Sequence, residues 1–283
     1  MNLRRIMIKY AAALTIAPSL AVFAVMTALT WHDPETAMYN GPVALVLMLL
    51  SSLGLKKYNT YYMKKAQRSL YEECDPYPMI SEIKLYLECV GRRVNKTGMI
   101  LTYGMMQALT GEYDAAEKTI KSINVGEGSP LPAGAKAGVL YDLAALYCMM
   151  DLRELAVEYY DRAKSFFDAA PDRIRYKMNF NGPTDGEIEF YRGNTDGALD
   201  ILNSIEPANR FHETSKKFAL AKVHYILGER ETAMEEFRWV ADNGGKLARA
   251  RESRAIVEYA EKAEPKRSGK RRIFSVMMRF AQL

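Results

Sequence analysis

Histidine, cysteine and tryptophan are scarce in this chain, which has three, three and two of them among 283 residues. Cys74, Cys89 and Cys148 make neither a metal-ligand spacing nor an even-numbered disulfide framework. They are expected to pack as small apolar residues in a reducing compartment. His32, His212 and His224 lie too far apart for a metal-binding pair, and none accompanies a recognisable nucleophile. Neighbouring carboxylates such as Glu72-Glu73 and Glu235-Glu236 would point to different faces of a helix and make no acid/base pair. Gly126-Glu127-Gly128 lacks the Lys-Ser/Thr ending of a phosphate-binding loop, and no strand pattern precedes it. No metal, no cofactor and no enzymatic activity is therefore expected.

Two further absences bound the function. Strand-type alternation is missing beyond Lys57, where apolar residues recur instead at three- and four-residue spacing, as an amphipathic helical protein requires. A basic body is missing as well. Residues 1–57 carry a net charge of +3 and residues 265–283 carry +6, whereas residues 58–264 come to −4. The overall excess of +5 belongs to the two ends, which argues against a nucleic-acid-binding domain.

Long apolar runs are present. Residues 11–30 hold no charge and are long enough, at about 1.5 Å per residue, to cross a hydrocarbon core of about 30 Å. Pro18 lies inside this run and is expected to kink the helix. A second apolar run covers residues 38–55 and opens with Gly41-Pro42. Arg4, Arg5 and Lys9 precede the first run, Lys56, Lys57, Lys64 and Lys65 follow the second, and the intervening loop has no Lys or Arg. The positive-inside rule then puts both termini in the cytoplasm and the loop outside, with Trp31 and Tyr39 at the outer interface. The expectation is a transmembrane helical hairpin over residues 1–57, in an integral protein of a bacterial cytoplasmic membrane. A cleaved signal peptide, ending near Thr27 and Ala28, is the alternative for the first run. Asn95-Lys96-Thr97 fits a glycosylation acceptor, which would be idle on the cytoplasmic side.

An entry helix pair is expected over residues 58–96, its first helix stopped at Cys74-Asp75-Pro76 and its second running to about residue 94. Four copies of one spacing follow. The first has Ile100, Tyr103, Gly104, Gly111, Tyr113, Ala116, Ile120 and Ile123, with Gly111 supplying a left-handed turn. The second has Leu140, Leu143, Ala144, Tyr147, Ala156, Tyr160 and Ala163. The third has Gly193, Ala198, Leu202 and Ile205, and the fourth Leu220, Ala221, Gly228, Ala233, Phe237 and Val240. Ala116, Ala156, Ala198 and Ala233 stand 40, 42 and 35 residues apart. The small residues mark where antiparallel helices approach, and larger neighbours fill the space beside them. Gly182-Pro183 predicts a break in the first helix of the third copy, and residues 246–264 read as a capping helix.

This spacing resembles the tetratricopeptide repeat, most closely in the second copy, and the chain is similar to membrane-anchored bacterial tetratricopeptide proteins. The resemblance implies an all-α fold: the hairpin, then a right-handed superhelix of antiparallel helix pairs over residues 97–264, with a basic tail over 265–283. It also implies an inner groove lined by first-helix residues outside the packing pattern. Those are Leu101, Met105 and Leu109, then Tyr141, Ala145 and Met149, then Arg192, and finally Phe218, Lys222 and Tyr225. Aromatic, methionine and basic residues together suit an apolar peptide or helix; the alternative is that these residues are partly buried core or are covered by the capping helix. The set of Lys, Arg and Asn that clamps a terminal carboxylate in chaperone-tail-binding members is missing. The implied function is a scaffold that holds a protein or peptide partner at the cytoplasmic face. The alternative is an accessory subunit of a transport or envelope-assembly complex whose hairpin carries the function. Lys266, Arg267, Lys270, Arg271 and Arg272, followed by Ile273 and Phe274, would lie on anionic lipid, or else the tail is disordered and solvated.

Overall fold

The computed structural model describes residues 3–29, 40–89, 96–171 and 182–263. They form thirteen α-helices, and no strand occurs among the described residues. We number the helices α1 (Leu3–Lys9), α2 (Ala11–Leu29), α3 (Asn40–Glu73), α4 (Tyr77–Cys89), α5 (Thr97–Leu109), α6 (Tyr113–Lys121), α7 (Ala133–Met149), α8 (Arg153–Asp168), α9 (Pro183–Tyr191), α10 (Thr195–Ser204), α11 (Arg210–Leu227), α12 (Arg230–Asn243) and α13 (Ala248–Ala263). The described residues fall into two compact units, one drawn from 1–67 and 81–95, the other from 68–80 and 96–283.

In the first unit α2 runs through Pro18 without a break. Its apolar side chains face outward, Leu20 and Val25 each at 59% exposure, and Leu45, Leu49, Leu50 and Leu53 do the same on the first half of α3. Among the described residues, however, no helix is long and apolar enough to cross a membrane. The two-span hairpin expected for residues 1–57 is therefore not a structural finding. The second apolar run is not a separate element either. It continues through Lys56 and Lys57 to Glu73 as one helix of 34 residues, because nothing between Leu53 and Tyr58 except Gly54 disfavours helix. The expected boundary at residue 57 thus falls inside α3. Arg4 is buried at 8% exposure. Its Nε donates to the Glu82 carboxylate at 2.9 Å, and its guanidinium lies 3.9 Å from the centre of the Tyr62 ring. Arg5 pairs with Glu88 at 2.6 Å, so two of the three cations ahead of the first run are partnered by carboxylates of α4.

The second unit holds the end of α3 and four consecutive helix pairs, α5–α6, α7–α8, α9–α10 and α11–α12, followed by α13. Turns this short force the two helices of each pair to run antiparallel. Gly111, Asp151, Gly193 and Gly228 occupy the same place in the four turns, all with positive φ, of 86°, 53°, 84° and 87°. In each turn the N–H of the next residue returns to a carbonyl of the preceding helix: Glu112 to Gln107, Leu152 to Tyr147, Asn194 to Glu189 and Glu229 to His224, at 2.9–3.0 Å. This is the left-handed helix cap, repeated four times.

Seven residues before each turn residue stand Gly104, Ala144, Gly186 and Ala221. A Cβ on Gly104 would meet Ile120 at 2.5 Å, and one on Gly186 would meet Leu202 at 2.5 Å. The helices of these pairs touch where the side chain is missing, and Ile120 and Leu202 fill the notch, fully buried. Ala116, Ala156, Ala198 and Ala233 are fully buried on the facing helices. Core side chains follow the same register. Tyr147, Leu143 and Ile120 join the first two pairs, and Phe218, Phe237 and Val240 join the fourth pair to Ile256 of α13. Burying a side chain such as Phe237 contributes roughly 2–3 kcal/mol.

The third pair begins as expected at a break, with Gly182 extended before Pro183 at the helix start. Asp185, at 4% exposure, accepts from the Gly182 N–H at 2.8 Å and from the hydroxyls of Tyr141 at 2.8 Å and Tyr160 at 2.6 Å. One carboxylate caps α9 and ties it to the second pair. At the other boundary α3 stops at Glu73, where Cys74 turns left-handed at φ 53° ahead of Pro76. Cys74 and Cys148 are buried and in no disulfide, in keeping with their expected packing role.

Candidate partner-binding face

Six residues before the left-handed turns the four pairs carry Met105, Ala145, Glu187 and Lys222. This is the inner position of each first helix. In the last two pairs this position carries side chains that meet as an ion pair. Lys222 Nζ donates to Glu187 Oε1 at 3.0 Å and to the Tyr191 hydroxyl at 3.0 Å. Tyr191 in turn donates to Asp151 Oδ1 at 2.9 Å, and Lys222 stands 3.8 Å from the same carboxylate. The side chains of Lys222 and Glu187 are only 11% and 2% exposed. Removing charge from water at such depth is costly, so each needs the other.

Burial opposes the charge on Lys222, but the Tyr191 hydroxyl, Glu187 and Asp151 overcome it and hold the ammonium well above its usual range. Burial pushes the Tyr191 hydroxyl and the Cys148 thiol upward. Two further carboxyls are raised to about 7 by burial: Glu252, against the pull of Lys222 and Arg249, and Asp142.

Helix α13 lies over this face. Arg249 reaches Glu187 at 3.5 Å and sits 5.1 Å from the Phe218 ring centre. Its Nε and the Ser253 hydroxyl one turn further on have no hydrogen-bond partner among the described residues. Arg251 extends to the first pair and donates to the Thr110 carbonyl at 2.6 Å. Beside it, the Lys246 N–H donates to the Cys74 carbonyl at 3.1 Å, and Lys246 Nζ to Asp75 at 2.5 Å. The end of the array returns to its beginning.

The residues expected in the groove divide accordingly. Lys222 belongs to the ionic cluster, and Phe218, at 3% exposure, to the core beneath Arg249. Leu109 is buried too. Leu101, Met105, Tyr141 and Met149 are partly buried against the core of the first two pairs, and Tyr225 against that of the fourth. Tyr141 is engaged with Asp185. Arg192 stands apart, on the turn after α9, where it pairs with Asp161 and, at 2.7 Å, with Glu189. Lys266, Arg267, Lys270, Arg271 and Arg272 lie outside the described residues. Glu187, Tyr191, Asp151, Arg249 and Glu252 were not among the expected residues. Glu187 is found from sequence by counting six back from Gly193, the step that gives Lys222 from Gly228.

Among the described residues no group of His, Cys, Asp or Glu could hold a metal ion. His224 Nδ1 lies 3.0 Å from Glu236, and His212 packs near Tyr71 and Phe211. No protein-family model, no characterised protein and no solved structure matches the chain.

Proposed function

We propose that this chain is a membrane-anchored helical-repeat scaffold of the tetratricopeptide type, binding a protein or peptide partner at the cytoplasmic face of the membrane. The observation that carries the repeat reading is the fourfold recurrence of a left-handed turn residue with a small residue seven positions before it and an alanine five positions after it. A stack built this way leaves one face of its first helices free of the packing within each pair. The membrane reading rests on the charge-free, outward-facing apolar side chains of α2 and the first half of α3, flanked by basic residues.

The partner is tested by photo-crosslinking from Leu101, Met149 and Tyr225 in intact cells, with exposed Arg162 as the control. A discrete adduct from the inner positions alone supports the scaffold; equal labelling from Arg162 overturns it. Orientation is tested with Glu35→Cys and Lys262→Cys and an impermeant thiol reagent applied outside. Only the Glu35 position should react, and reaction at Lys262 overturns the cytoplasmic assignment.

The cover formed by α13 favours a second reading, in which the array is a rigid support and the hairpin acts within a transport or envelope-assembly complex. Replacing residues 1–57 with an unrelated anchor separates them. Activity in cells survives the exchange for a scaffold and is lost for a functional hairpin.

A further inference from the structure

The negative charge described in the first unit is confined to α4. Its two carboxylates, Glu82 and Glu88, are taken by Arg4 and Arg5, and α3 carries no acid before Glu72. Lys56, Lys57, Lys64 and Lys65 of α3 are exposed and meet no carboxylate among the described residues.

At about 100° per residue these lysines share the half of α3 that also presents Thr60 and Tyr61 to solvent. Tyr58, Tyr62 and Ala66 turn to the other half, where the Arg4 guanidinium lies over the Tyr58 and Tyr62 rings. Tyr61, at 62% exposure, stands on one line with Lys57 and Lys64, and that line continues back through Leu53, Leu50 and Val46, each more than half exposed. A single exposed line of α3 thus passes from aliphatic side chains to two ammonium groups with a tyrosine ring between them. A lipid leaflet presents the complementary order, acyl chains, then an interface that favours amphipathic rings, then phosphates. A nucleic-acid backbone would meet the lysines as well but would leave the aliphatic half of the line in water.

We propose that Lys56, Lys57, Lys64 and Lys65 form a binding surface for the phosphates of anionic phospholipids, with Tyr61 at the boundary between headgroup and hydrocarbon. The surface rests on the membrane reading of α2 and α3. It assigns lipid recognition to α3 rather than to Arg4 and Arg5, which α4 neutralises. Lysine is a compact point charge without a rigid fork of donors, so selection is by charge and not by headgroup shape.

The test places the full-length chain in phosphatidylcholine bilayers containing spin-labelled phosphatidylglycerol or spin-labelled phosphatidylcholine. The motionally restricted fraction of each label gives the relative association of the two lipids. With one lysine to each phosphate, phosphatidylglycerol should associate on the order of fivefold more strongly, and the preference should shrink toward parity in about 0.5 M NaCl. Replacing the four lysines by glutamine, which preserves helix propensity, should remove the preference. The same replacement of Lys266, Arg267, Lys270, Arg271 and Arg272 should leave most of it. Parity in the wild type, a preference that salt does not weaken, or one that persists without the α3 lysines overturns the surface while the chain stays in the bilayer. Lysine-dependent binding of a short DNA duplex without any lipid preference assigns the surface to nucleic acid instead. A chain that floats with neither bilayer overturns the membrane reading itself, and the lipid surface with it.

Discussion

The second and third helix pairs place the same backbone under different chemistry. Ala144, Ala145 and Leu146 of α7 correspond to Gly186, Glu187 and Ile188 of α9, counted from the left-handed turn residues Asp151 and Gly193. The outer two positions do the same packing in both. The middle one is an alanine in α7 and a fully buried carboxylate in α9. A charge is tolerated there because the next pair supplies Lys222 at the equivalent position and α13 supplies Arg249. The apolar pairs are held by shape, whereas the third and fourth are also held in register by charge.

Glu187→Ala should have the largest effect, because it leaves Lys222 and Arg249 buried without their main counter-charge. A loss of about 3–5 kcal/mol is expected in denaturant unfolding. The double variant Glu187→Leu with Lys222→Met should lose much less than that single change, approaching the apolar condition of the second pair. If the double variant is as unstable as the single, the ionic pair is not what separates the two regions.

Gly186→Ala comes next. Its Cβ would meet Leu202 at 2.5 Å, and overpacking of this kind costs about 1–3 kcal/mol. Ala144→Gly in the second pair should cost only about 1 kcal/mol, the helix propensity difference.

Ionisation sharpens the contrast further. The folded chain raises Glu252 and Asp142 to about 7, so it keeps protons that the unfolded chain releases above its ordinary carboxyl range of about 4. Their contribution to stability is complete below that range and is lost as pH rises to about 7. A decline on the order of 3 kcal/mol for each group between pH 4.5 and 7.5 is expected. Measured by urea unfolding, it should vanish in Glu252→Gln with Asp142→Asn.

The smallest net effect is expected at the Asp151 turn. Asp151 holds a left-handed conformation at φ 53°, which costs a non-glycine residue roughly 1–2 kcal/mol. Asp151→Gly relieves that cost but removes the acceptor of Tyr191, and the net change should stay within about 1 kcal/mol. Gly193→Ala, at φ 84°, has no such compensation and should cost about 1–2 kcal/mol. Thermal unfolding distinguishes the two.

Much of the array was legible in the sequence because it rests on local rules. Gly111 and Gly228 announce their turns, Gly182-Pro183 announces the break before α9, and the buried alanines keep their intervals. Asp151 did not announce its turn, since aspartate is only an occasional occupant of the left-handed region. The course of α3 through Lys56 and Lys57 is not legible in the sequence, because the change of composition there is not a change of element. The ionic cluster was missed for a different reason. Nothing local distinguishes Glu187 from the neighbouring Glu189, which pairs at the surface with Arg192. Burial of Glu187 depends on Lys222 and on Arg249, 62 residues away in sequence, and such partners are brought together only by the stacking of pairs.

The return of α13 to Thr110 and of Lys246 to Cys74 and Asp75 bears on how this protein can change over evolutionary time. An open stack can gain or lose a repeat and remain a stack, since each unit needs only its neighbours. Here a duplicated or deleted pair would carry Arg251 and Lys246 away from the residues that receive them. The number of pairs is tied to the closure, and variation in such a chain is expected in connections such as residues 122–132 rather than in repeat number.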